Sequence, residues 1–202
     1  MLCSKVCELV LASHNSGKIV EFEDLFRPIG MQMQSALALG LPDVEETGSS
    51  FEENAVLKAL DVARRSKKMA LGDDSGLCVA ALGGDPGIYT ARWAEQKDGS
   101  RDWYSAMSRV AEKLREQNAS DWSASFVCVL ALAFADGRQI VERGEVHGKL
   151  VWPLRGTRGF GFDPMFVPDG EAQTFGEMDP DKKNAMSHRH VAFQKLLRHD
   201  LF

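Results

Sequence analysis

Carboxylates, lysines and glycines gather at a few places along this chain in patterns able to handle a charged ligand. The first is Asp73-Asp74-Ser75-Gly76, which follows the apolar run Met69-Ala70-Leu71 and precedes a second glycine-rich stretch, Gly83-Gly84-Asp85-Pro86-Gly87. Two adjacent carboxylates at a strand-to-loop transition repel unless a cation sits between them or one takes up a proton. Hard oxygen ligands of this kind suit Mg2+, which usually binds one or two carboxylates together with substrate phosphates. A solvated Asp-Asp-Ser-Gly turn accounts for the same residues, because these types dominate turns for conformational reasons.

A second candidate is Ser13-His14-Asn15-Ser16-Gly17-Lys18. It follows a β-rich run, Val6–Ala12, and precedes Ile19, Phe22, Leu25 and Phe26, which recur at helical spacing until Pro28. At such a strand–loop–helix junction the free backbone N–H groups and the positive helix end make an anion site, and Lys18 adds a full charge. The stretch is not a P-loop, because Ala12 and Ile19 stand where that motif needs Gly and Ser or Thr. An ordinary capped helix with an exposed lysine is the simpler alternative. The acidic loop Leu41–Gly48 comes next, and its Glu45 and Glu46 are candidate metal ligands. Ser50 and Glu53 behind it have capping-box spacing. The following helix is expected to bury Phe51, Ala55, Ala59 and Val62 or Ala63, with Asn54, Lys58 and Asp61 on a different face. Lys58 there either reaches a phosphate or is simply solvated, while Glu52 and Glu53 serve the helix dipole.

The third candidate lies late in the chain. Arg155-Gly156-Thr157-Arg158-Gly159-Phe160-Gly161-Phe162-Asp163 interleaves glycine with aromatic residues, as expected where backbone approaches a flat ligand and a ring stacks on it, or where phenylalanines merely pack. Asp179–Asp181 then open a helix carrying Lys182, Lys183, Asn184, Ser187, His188, Arg189 and His190 and burying Phe193 and Leu197. His188 and His190 are no zinc pair, since i,i+2 positions of a helix do not face each other.

The elements that must position these residues are legible in part. Arg101–Asn118 reads as an amphipathic helix with Trp103, Met107, Val110, Ala111 and Leu114 on one side. Trp122–Ala135 reads as a long strand, turned by Asp136-Gly137 into a partner over Gln139–Val146, with His147 structural. The chain has 202 residues, 44% hydrophobic and 26% charged, without repeats or linkers, which is the make-up of a globular protein of one domain or one two-lobed domain. Cys3, Cys7, Cys78 and Cys128 show no CxxC spacing and read as buried reduced thiols. A net charge of −5 argues against a general nucleic-acid surface, though not against a small polyanion. No run is long enough for a membrane helix and no signal-peptide pattern is seen, so a cytoplasmic protein is expected.

Taken together, SHNSGK, EETGSSFEENAVLKA, DDSGLCVAALGGDPGIYTARW, GFGFDPMF and KKNAMSHR closely resemble, in this order, the inosine triphosphate pyrophosphatase family. The resemblance spans nearly the whole chain. It implies an α/β fold with an elongated mixed β-sheet flanked by helices, two lobes with a central substrate cleft, and a homodimer. It implies Mg2+-dependent hydrolysis of dITP, ITP and XTP to the monophosphate and pyrophosphate. On these residues, Ser13, His14, Asn15, Ser16, Gly17 and Lys18 become the phosphate loop, with Asn15 and Lys18 the direct ligands. Asp74 becomes the general base and a Mg2+ ligand, and Glu45, or else Glu46, the second metal carboxylate. Ser75, Phe160, Gly161, Phe162, Asp163, Lys183, His188 and Arg189 become substrate contacts, and Lys58 a phosphate contact.

The chemistry is consistent with these types. A triphosphate brings about four negative charges, and each cation about 4 Å from one of them is worth on the order of 4 kcal/mol at an effective dielectric near 20. Donors from Arg189 and nearby backbone suit the 6-oxo group of hypoxanthine or xanthine and are left unpaired against adenine, at a cost of about 1–3 kcal/mol each. Two other functions share parts of this pattern: a house-cleaning pyrophosphatase for modified pyrimidine nucleotides, and a nucleotide-binding module without catalysis.

Overall fold

The structure, a computed structural model, describes residues 8–199. Cys3, Cys7 and the start of the strand expected from Val6 lie outside that range. Six strands form one mixed sheet in the order β2-β1-β3-β4-β5-β6. They are β1 (Leu9–Ala12), β2 (Met33–Ser35), β3 (Met69–Val79), β4 (Ser123–Ala133), β5 (Gln139–Leu150) and β6 (Phe166–Pro168). The helices are α1 (Ser16–Phe26), α2 (Phe51–Ser66), α3 (Thr90–Ala94), α4 (Trp103–Glu116), α5 (Pro180–Met186) and α6 (His188–Leu196). Strand β1 runs parallel to both β2 and β3, whereas β5 and β6 are antiparallel. The sheet is therefore mixed, as the family resemblance implies.

The chain divides into two compact units. The first holds the chain up to Asp74, Val129–Gly144 and the chain from His190 onward. Its interior includes Leu9, Val10 and Leu11 of β1, Phe22 and Phe26 of α1, Ala55, Ala59, Val62 and Ala63 of α2, and Val129–Ala133 of β4, all buried. β1 is buried on both faces and reads as a continuous apolar run, as a central parallel strand must. The second unit holds Ser75–Cys128 and Glu145–Arg189. Its core joins Leu77 and Val79 to Met107, Val110, Ala111 and Leu114 of α4 and to Phe126, Phe162, Phe166 and Phe175.

Two features differ from the sequence expectation. Asp73 and Asp74 do not stand where a strand gives way to a loop. They lie in the interior of the 11-residue strand β3, and Ser75 and Gly76 continue it. Sheet pairing overrides the turn chemistry of Asp, Ser and Gly there: β3 lies between β1 and β4, and its pairing with β1 runs from Leu9↔Met69 to Ala12↔Gly72, just before Asp73. The basic segment near the end of the chain forms two helices, because Ser187 takes an extended conformation (φ −68°, ψ 156°) that stops α5 before α6 begins. In α6, Phe193 is buried as expected, but Ala192 and Leu196 are buried with it, and Leu197 is half-buried in the following turn.

Candidate functional site

In the first unit, strand direction brings two loops and a stretch of β3 to one end of the sheet. β1 is parallel to its neighbours, with Leu11 opposite Ser35 and Ala12 opposite Gly72. Chains leaving parallel strands emerge at the same end, and in α/β sheets that end is where ligands bind. Ser13–Lys18 leaves β1 there, the segment leading to the acidic loop leaves β2, and Asp73 and Asp74 follow Gly72 within β3.

The loop after β1 is ordered by its own side chains. Ser13 Oγ accepts from Asn15 N at 3.1 Å, and Asn15 caps α1 by accepting from Lys18 N at 3.2 Å. The helix therefore begins at Ser16, whose first-turn N–H groups point out of the helix end. His14 is turned towards the acidic loop, with Nε2 2.9 Å from the Leu41 carbonyl oxygen and Nδ1 3.2 Å from Asp43 Oδ1.

Asp73 and Asp74 are both nearly inaccessible, 2% and 3% exposed. Neighbouring residues of a strand project to opposite faces, so the two carboxylates are served by different cations. Lys18 Nζ pairs with Asp73. Lys58 Nζ pairs with Glu46 and lies 3.8 Å from Asp74 Oδ1. Asp74 Oδ2 also accepts from Asn54 Nδ2 at 3.0 Å. Burial pushes the Asp74 carboxyl up to about 6, against the pull of the Lys58 and Lys18 ammoniums, while the Glu46 charge adds to the rise and the Asn54 hydrogen bond opposes it. Burial works against the Lys58 charge as well, but Asp74, Glu46 and Asp73 outweigh it and hold that ammonium above its ordinary value.

The helix carrying Lys58 is secured as its sequence suggests. Ser50 Oγ accepts from Glu53 N at 3.1 Å, and Glu53 Oε2 accepts from Ser49 N at 2.7 Å. Asn54 and Lys58, one turn apart, are 1% and 6% exposed, so this polar face of α2 is buried and its lysine is not a solvated one. Asn54 is the residue the motif reading left without a role. The available signal was its i,i+4 relation to Lys58, which puts both on one face.

This donor set suits a small hard cation. Three carboxylates, Glu46, Asp73 and Asp74, meet two ammoniums, which leaves an excess of anionic oxygen beside Lys58. Among the described residues no group of three or more His, Cys, Asp or Glu is placed to hold a metal by itself. Glu46 already shares Lys58 with Asp74, whereas Glu45 is exposed.

The second unit carries the other candidates. Arg189, 2% exposed, donates from Nη2 to Ser75 Oγ at 3.1 Å. The His188 ring stacks on Phe126, with centroids 5.0 Å apart and planes 14° apart. Asp163 Oδ2 accepts from Phe160 N at 2.8 Å and from Lys183 Nζ at 2.6 Å. The loop closes tightly round that carboxylate: a Cβ at Gly159, where φ is +74°, would stand 2.0 Å from Asp163 Oδ2. Gly161 (φ +65°) separates two rings with different surroundings. Phe162 is buried in the core with Trp103 edge-on at 6.0 Å, whereas Phe160 is half-buried with Lys183 Nζ 5.2 Å from its centroid.

Lys18 and Lys58, expected to contact phosphate, and Lys183, expected to contact substrate, are thus each engaged by a carboxylate. A buried ammonium without a counter-ion would be too costly, and these pairings avoid that cost.

Parallel strand ends, a helix N-terminus and buried acid–lysine pairs define an α/β protein equipped for phosphate chemistry. The chain belongs to the Ham1 family, whose model matches residues 9–199. It is 52% identical over 200 residues to the dITP/XTP pyrophosphatase of Agrobacterium fabrum, covering 94% of each chain. It is 51% identical over 199 residues to the dITP/XTP pyrophosphatase of Mesorhizobium japonicum, covering 93% of this chain and 90% of that one. Among solved structures, a HAM1 protein from Coxiella burnetii superposes with a TM-score of 0.85 at 39% identity, covering 94% of this chain and 95% of that one.

Proposed function

We propose that this protein is a Mg2+-dependent nucleoside triphosphate pyrophosphohydrolase of the cytoplasmic nucleotide pool. Its substrates are the deaminated purine nucleotides dITP, ITP and XTP, and its products are the nucleoside monophosphate and pyrophosphate. The single observation that carries the reading is Asp74: a buried carboxyl poised at about 6, beside Lys58 and at the strand edge that also holds Ser13–Lys18. The names of the relatives, dITP/XTP pyrophosphatases at about half identity over nearly the full chain, support the same substrates.

In this reading Asp74 accepts a proton from a water that attacks the α-phosphorus. The new P–O bond forms as the bond from that phosphorus to the α–β bridging oxygen breaks, and pyrophosphate leaves with the bond electrons. A base with a pKa near the working pH combines the deprotonated state with useful proton affinity. Asp74, with Glu46 or Glu45, would hold Mg2+, which when bound would supply polarisation of phosphoryl oxygens and offset charge on the leaving group. The N–H groups opening α1, with Asn15 and Lys18, receive phosphate oxygens, and Lys58 steadies charge beside Asp74. Lys18 and Lys58 turn from carboxylate to phosphate as the anion and cation enter together.

Phe160, half-buried, is the ring suited to stack on a purine, and Phe162 holds its loop in the core. Arg189, fixed on Ser75, presents buried donors to a 6-oxo purine, and a 6-amino group leaves them unpaired. Purified protein given ITP and Mg2+ is expected to yield IMP and pyrophosphate, resolved by ion-exchange chromatography. Release of IDP and orthophosphate would overturn the mechanism, and a preference for modified UTP over ITP would overturn the substrate class.

A further inference from the structure

Asn54 stands between the acidic loop and the strand that carries Asp74, and its amide is used at both ends. Oδ1 accepts from Gly48 N at 2.8 Å, and Nδ2 donates to Asp74 Oδ2 at 3.0 Å. The two bonds determine the orientation of the amide, because only its oxygen can accept from a backbone N–H and only its NH2 can donate to a carboxylate. The side chain is 1% exposed, so water is not an alternative partner of equal standing. Gly48 closes the acidic loop, and a Cβ there would stand 2.7 Å from Asn54 Oδ1 and 2.7 Å from Glu53 Cβ. Glycine at 48 is therefore what lets the loop come close enough to be held.

We propose that Asn54 is a positioning residue for the pyrophosphohydrolase reaction: its amide orients Asp74 and couples that orientation to the acidic loop bearing Glu45 and Glu46. With Oδ2 occupied by the Asn54 N–H, the Asp74 carboxylate cannot rotate freely, and Oδ1 is the edge presented to Lys58. Because Asn54 Oδ1 holds Gly48, order in the acidic loop and aim of the base rise and fall together. The proposal rests on the reading of Asp74 as the base.

The test uses Asn54→Ala, Gly48→Ala, their double variant and Asp74→Asn, each assayed on ITP with Mg2+ and by amide hydrogen exchange. Asn54→Ala is expected to lower kcat by about 30- to 100-fold, the scale of a misplaced catalytic group. KM for ITP should stay within about threefold, since the amide touches the base and not the nucleotide. The Gly48 amide should exchange at least about tenfold faster, a local readout independent of turnover. Gly48→Ala should lose kcat through the same relay, so that the double variant is no worse than Asn54→Ala within about twofold. An Asn54→Ala enzyme with kcat near wild type, unchanged exchange at Gly48, or single losses that multiply in the double variant would each overturn the relay. If Asp74→Asn itself turns over normally, the functional reading fails; if Asp74→Asn is inactive while Asn54→Ala is not, only the relay fails.

Discussion

At the scale of single residues, the consequential fact is that a carboxyl meant to carry charge is buried where charge is disfavoured. Asp74 stands at about 6 against an ordinary 3.8 because loss of water outweighs what Lys58 and Lys18 restore. The folded protein therefore binds that proton more tightly than the unfolded chain does. Stability is not penalised below about pH 4, falls as pH rises towards 6, and carries the full cost of ionisation above it. Asp74→Asn removes the ionisation, so at pH 8 its Tm in calorimetry should exceed wild type by about 2–6 °C, a gap that narrows towards pH 4. The same variant should turn over ITP at least about 100-fold more slowly. In the wild type, kcat/KM should fall as pH is lowered through about 6, reporting the base in the free enzyme. A variant that is both less stable and fully active would contradict the assignment on two counts.

At the scale of elements, the site depends on how closely α2 lies on β3. Gly72 has no side chain because there is no room for one: a Cβ would stand 2.1 Å from the Ala55 carbonyl oxygen and 2.8 Å from Ala59 N. That contact brings Asn54 and Lys58, on the same helix, within reach of Asp74 two residues further along the strand. Gly72→Ala should cost about 1–3 kcal/mol by overpacking, seen as a Tm lower by about 2–10 °C. Its activity loss at a temperature where it remains folded should exceed the stability loss, because the helix carrying Lys58 is displaced. The parallel pairing of β1 with β3 has the complementary effect, delivering Ser13–Lys18 beside Asp73.

At the scale of the molecule, a chain with a net charge of −5 is proposed to bind a polyanion. The cations proposed for this are local and paired with carboxylates, Lys58 and Lys183 buried and Lys18 half-buried, while long-range repulsion is screened within about 8 Å at physiological salt. Among the described residues no helix is long and apolar enough to cross a membrane. The family resemblance implies a homodimer, and sedimentation equilibrium is expected to return twice the 22.3 kDa chain mass. A monomer at micromolar concentration would remove that expectation without touching the chemistry.

Much of the site was legible from residue order, because the signals involved are local. Ser50 and Glu53 mark a helix start by capping geometry, and Asn15 does the same for α1. The apolar positions of α4 follow from a 3.6-residue period. The motifs from SHNSGK to KKNAMSHR were enough to point to the family. Three matters were decided only by the tertiary structure. Asp73-Asp74 reads as a turn until the sheet makes it strand interior, where Lys18 pairs with Asp73 and Lys58 approaches Asp74. Phe160 and Phe162 are alike in sequence, yet one lies in the core and the other over Lys183. Asn54 gains a role only because Gly48 and Asp74, 6 and 20 residues away in the chain, converge on its amide. Sequence by itself determined which groups are present and how each local turn or helix begins. Their charge, partners and aim depend on burial and on long-range approach, which arise only when the strands and helices pack.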